Sequence, residues 1–161
     1  KPSLHQINHV LVPIIDDLLE FWDPGFQLSE TPMHPAGRLI KGALIFLVCD
    51  LPALRQMGGF ASYGATPFCS FCTLTIDNID DLQHKEWELR TCVAHRSAAA
   101  QWRDAQSEDE RMAIFEQNGV RWSELLRLPY WDPTLSQVVD TMHNLFLGDF
   151  MRHCRVVWGM D

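Results

Sequence analysis

The chain has 161 residues, 47% of them hydrophobic, with a formal net charge of −8 at pH 7. That apolar content is enough to bury one sizeable core, so a single folded domain is the default expectation. The acidity argues against a broad phosphate-gripping surface, which needs clustered Lys and Arg, and no apolar run reaches the roughly 20 residues of a membrane-spanning helix. The longest candidate, LIKGALIFLVC, is shorter and interrupted by Lys41.

Taken in chain order, HQINHVLVPIIDDLLEFW places Ile7, Val10, Leu11, Ile14, Ile15, Leu18, Leu19 and Trp22 at helical spacing, with Asp16, Asp17 and Glu20 opposite. An amphipathic helix is predicted, bent at Pro13 and ended by Asp23-Pro24-Gly25. Residues 26–37 read as a connecting loop. Ala43 to Cys49 is apolar at every position and reads as a strand buried on both faces, a buried helix being the alternative. Asp50-Leu51-Pro52 then opens a helix running to about Met57 and stopped by Gly58-Gly59.

Residues 60–92 carry little periodic signal. Helices return in VAHRSAAAQWRDA and in SEDERMAIFEQNG, where Ser107 and Glu110 form a capping box and Gly119 a stop. RWSELLRL is a further short helix. Gln137 to Val139 reads as extended, followed by a helix from about Asp140.

Cys69-x2-Cys72 and Cys92-x2-His95 are separated by nineteen residues. Thiolate and imidazole suit tetrahedral zinc, and an x2 spacing lets one tight turn present two ligands to one ion. Four protein ligands leave no open position, so such a site is structural. The alternative is ordinary buried cysteines and a surface histidine. With no signal-peptide pattern and an odd set of five cysteines, a reducing compartment is expected. The chain starts at Lys1 and ends just after an apolar run, which reads as the boundaries of an excerpt.

Asp50 sits where α/β sheets place working carboxylates, at the exit of a strand, but an aspartate before Leu-Pro also makes a good helix cap. Asp140 and His143 share a helix face, as a metal- or phosphate-directed pair or as a cap and a satisfied histidine. Arg90, Arg96, Arg103, Arg121 and Arg127 read as a solvated face, and the six tryptophans as packing residues.

VCDLPALRQMGGF, CSFC, CVAHR, GVRWSELLRLPYWDP and VVDTMHNLFLG, in this order, resemble the CACTA-related transposases of mushroom-forming fungi, the Kyakuja-Dileera-Zisupton and Plavaka-type elements. The resemblance implies an α/β fold: a partial RNase H-like core with a mostly helical zinc-binding insertion. Residues 1–59 would be the first part of the core, 60–130 the insertion and 131–161 the return. It implies DNA strand cleavage and transfer by two-metal-ion phosphoryl transfer with magnesium or manganese, DNA as partner, a homo-oligomer and a nuclear location. Asp50 would be the second of three metal-binding acids, Asp140 and His143 the D-x2-H motif, and Cys69, Cys72, Cys92 and His95 the zinc ligands. The first and third acids of the family fall outside these residues. The competing expectations are a non-enzymatic zinc-containing interaction module, a decayed transposase remnant, and a single-metal hydrolase built on Asp140, His143 and His153.

Overall fold

The structure is a computed structural model that describes residues 6–83 and 86–160. His5, with which the predicted first helix begins, and Asp161, with which the return segment ends, lie outside the described residues. Helix and strand are both present, 48% against 12%, so the strands form small platforms in a helical body.

Helix α1 spans Gln6–Trp22 with Pro13 inside it. It buries only Leu11 and Ile15 fully, leaving Val10 and Ile14 half exposed on the flank. The stretch expected to be a loop instead forms a hairpin, β1 (Phe26–Leu28) and β2 (Arg38–Ile40), antiparallel with Phe26 opposite Ile40. Strands of three residues are too short to print an alternating pattern, and Pro32, Pro35 and Gly37 fall in the connection between them. Gly37 is required there: its φ is +83°, and a Cβ would run into the carbonyl oxygen of Leu28.

Strand β3 is Leu47–Cys49, the last three residues of the apolar run, and pairs in parallel with β4, Gln137–Val139. The strand is therefore where it was expected, but it is not buried on both faces. Leu47 is buried, whereas Ile45, Phe46 and Val48 are 57 to 60% exposed. Helix α2 packs against the pair, and Val48 on the other face stays largely open.

Helix α2 (Leu51–Gly58) starts on Asp50, whose carboxylate accepts from the Ala53 amide at 2.7 Å, and stops at Gly59 in the left-handed conformation. The described residues between Phe60 and Thr91 are irregular apart from a 3-10 turn at Ile76–Asn78, and are held by bridges pairing Phe60 with Val120 and Cys72 with Leu89. Helix α3 (Cys92–Asp104) is capped by Thr91, and α4 (Glu108–Asn118) by Ser107, with Glu110 reaching back to the Gln106 amide. A 3-10 turn, Glu124–Arg127, follows. Beyond β4 the chain winds as a wide π-type helix through Met142–Phe150 and His153–Val157, with no buried residue.

One apolar cluster joins these pieces: Leu11 and Ile15 of α1, Leu47, Leu54, Ala98 and Ala99 of α3, Val120, Leu125, Leu126, Leu128 and Trp131. Three arginines expected on a solvated face are built into this body. Arg96 donates to the carbonyls of Leu126, Leu128 and Trp131 at 2.6 to 3.0 Å. Arg121, 2% exposed, donates to Gln56 and Phe60, and Arg90 to Cys69, Cys72 and Asn118. Five donors in a planar fork suit Arg to irregular backbone, where carbonyls lack ladder partners. Arg103 instead stacks on Trp122, and Arg127 pairs with Asp16 and Glu124.

Candidate functional site

The parallel register of β3 and β4 sets Cys49 against Val139, so the next residue on each strand is an aspartate: Asp50 on one, Asp140 on the other. The Asp140 amide donates to the Cys49 carbonyl at 2.9 Å, carrying the pairing to that point. Neighbouring strands lie about 4.8 Å apart, so two carboxylates leave the same edge of the platform from adjacent backbones.

Their immediate partners differ. One Asp50 oxygen is engaged as the α2 cap, and no hydrogen bond to the other is present among the described residues. Asp140 accepts from the Met142 amide at 2.9 Å through one oxygen and meets His143 Nδ1 at 2.5 Å through the other. The His143 contact, then the Met142 amide, holds the Asp140 carboxyl below the usual range, so it is ionised at neutral pH. A carboxylate on Nδ1 fixes the ring and leaves Nε2 facing outward chemistry, the arrangement by which proteins orient a histidine. Nε2 has no hydrogen-bond partner among the described residues, and the side chain is half exposed.

Cys69 and Cys72 meet in a tight turn. The Cys69 sulfur accepts from the amides of Phe71 and Cys72, both at 3.4 Å, and Arg90 ties the two cysteine carbonyls together from behind. Burial pushes the Cys72 thiol up, while the Leu74 amide pulls it down. Cys92 opens α3, and His95 stands one turn further along it.

His95 is 2% exposed and stacks on Phe60 with centroids 4.5 Å apart, yet neither ring nitrogen has a hydrogen-bond partner. Burial, then the nearby charges of Arg90 and Arg96, pushes its pKa down to about 3. It lines a cavity of about 260 Å3 together with Thr73, Glu88, Arg90 and Gln117. A neutral imidazole with both nitrogens unmet is an expensive arrangement, and a ligand or metal on one nitrogen would relieve it.

The structure thus sets the backbones of Asp50 and Asp140 side by side and brings together Asp140 with His143 and Cys69 with Cys72. Among the described residues no group of three or more His, Cys, Asp or Glu side chains converges as a metal-holding set. His153 packs edge-on against Trp158. Sequence reasoning did not foresee that Asp50 and Asp140 sit side by side. The signal was present in LVCD and QVVD, two short apolar runs each closing on an aspartate.

Comparison with protein-family models, with curated proteins and with solved structures yields no match.

Proposed function

We propose that the chain belongs to the catalytic core of a DNA transposase with an RNase H-like fold, in which Asp50 and Asp140 share a divalent cation. The observation that supports this reading is the in-register exit of both aspartates from adjacent parallel strands. Carboxylate oxygens are hard donors suited to magnesium or manganese. The pair supplies only part of such a shell, which agrees with a family whose other acids fall outside these residues. When bound, the metal ions polarise the phosphate and stabilise the leaving oxygen.

The chain's own part is positional. The β3 and β4 backbones hold the two carboxylates at one edge, the α2 cap fixes the Asp50 rotamer, and Asp140 orients His143 toward the DNA backbone. His143 then acts as a positioning or proton-holding group beside the carboxylates. DNA, a nuclear location and homo-oligomeric assembly complete this reading.

A structural zinc on Cys69, Cys72, Cys92 and His95 belongs to the same proposal. The amide bonds to the Cys69 sulfur and the unmet His95 nitrogens support it; the lack of a converged group of three among the described residues counts against it. Cobalt substitution tests it directly. Tetrahedral thiolate coordination gives intense visible absorption that Cys69→Ser and His95→Ala each diminish, and a featureless spectrum would remove zinc from the account.

The test of the catalytic reading is magnesium-dependent strand cleavage by an intact protein that carries the remaining acids, and by its Asp50→Asn and Asp140→Asn variants, since these residues alone do not complete the metal shell. Each substitution should abolish cleavage; retention of activity by either would refute the shared-metal role. One observation favours a second reading. Asp50 closes on the Ala53 amide as a cap does, which fits a non-enzymatic zinc-containing interaction module. In that case Asp50→Asn lowers stability slightly and no metal-dependent cleavage exists to lose.

A further inference from the structure

Two uncovered apolar features of this chain match each other. The first is a groove of about 620 Å3 between α1 and the hairpin, walled by Ile14, Leu18, Phe21, Phe26, Leu28 and Ile40 and edged by Asp17. Phe26 and Ile14 are about half exposed there, at 48% and 50%. The second is the C-terminal helix, on which Leu145, Phe146, Leu147 and Phe150 are 47 to 58% exposed. Exposed apolar surface of this kind marks a place where something docks.

Charge says what fits. Asp17 edges the groove and Glu20 follows it three residues along α1, both exposed and without an ion-pair partner among the described residues. Arg152 and Arg155 stand three residues apart on the C-terminal helix, equally exposed and equally unpaired there. The acids flanking Asp17 and Glu20 in sequence are already committed, Asp16 on α1 to Arg127 and Asp23 just beyond it to Lys41. An apolar helix bearing two guanidinium groups complements an apolar groove edged by one carboxylate with a second on the same helix, which is the helix-in-groove mode of recognition.

We propose that the C-terminal helix of one copy seats in the α1–hairpin groove of a second copy, with Arg152 and Arg155 facing Asp17 and Glu20. The contact joins different surfaces of the two partners, so it either closes reciprocally as a swapped dimer or propagates. It goes beyond the catalytic reading and does not depend on it, since neither Asp50 nor Asp140 takes part.

The test is molar mass by light scattering over a concentration series. Ile14→Glu spoils the groove and Phe150→Glu spoils the helix; both positions are half exposed, so circular dichroism should match the parent. The parent should associate and each variant alone should be monomeric. Mixing the two variants should restore a one-to-one complex, because one supplies an intact groove and the other an intact helix. Asp17→Lys should weaken association about a few-fold, as exposed charge pairs do. A parent that is monomeric throughout, a variant that associates like the parent, or a mixture that stays monomeric would each overturn the proposal. The last outcome with an associating parent would indicate helix-to-helix or groove-to-groove pairing instead.

Discussion

The helical body from Thr91 to Trp131 and the edge formed by β3, β4 and the C-terminal helix treat their polar and apolar groups in opposite ways. In the body, irregular backbone is closed by arginine: Arg96 alone serves three carbonyls, and Trp131, 1% exposed, fills the space beneath. At the edge, Val48, Val138 and the C-terminal helix keep apolar surface open, and Asp140 and His143 satisfy only each other and one amide. The body is built to be finished and the edge to be completed by something else.

That contrast is breakable by substitution. Arg96→Ala strips the donors from three carbonyls of the Leu126 to Trp131 segment and should cost the most, about 3–5 kcal/mol in urea unfolding. Arg96→Lys should recover only a part of this, because an ammonium cannot span three acceptors in a plane. A loss below about 1 kcal/mol would mean that the body does not rely on its arginines.

His95 gives the next largest effect, in the metal-free chain. Its folded pKa of about 3 lies below the ordinary histidine value of 6.5. The unfolded chain therefore takes up a proton that the folded chain refuses. Stability is fully present above pH 6.5 and falls as pH drops toward 3, by up to a few kcal/mol at about 1.4 kcal/mol per pH unit. His95→Phe should flatten this slope; an unchanged slope would place the acid sensitivity elsewhere.

Gly59→Ala should cost about 1–2 kcal/mol, since the site has φ of +80° and a Cβ would lie 2.5 Å from the Arg121 carbonyl oxygen. The smallest effect belongs to the edge. Val48→Thr, at a 60% exposed position, should change stability by no more than about 0.5 kcal/mol. A larger loss would show that the open face of β3 is covered in solution.

Local chemistry carried much of this fold in the sequence. The caps at Asp50 and Ser107, the stops at Gly59 and Gly119 and the strand before Asp50 all follow from neighbours within a few residues, and all appear. What stayed hidden depends on distant partners. The hairpin of Phe26–Leu28 and Arg38–Ile40 has strands too short to carry a period. The arginines scatter in sequence and converge only in space, each on carbonyls that no residue type announces. The adjacency of Asp50 and Asp140 required knowing that strands nearly ninety residues apart pair in parallel. For the cysteines the spacing gave the Cys69–Cys72 turn but not how Cys92 and His95 relate to it.

The shared role of the two strand-end carboxylates is tested most directly by manganese titration followed by amide NMR. Line broadening should centre on residues 49–51 and 139–143 together at low manganese, and should vanish from both segments in Asp50→Asn. Broadening spread over the acidic surface, or confined to one strand end and indifferent to the Asp50 substitution, would contradict it.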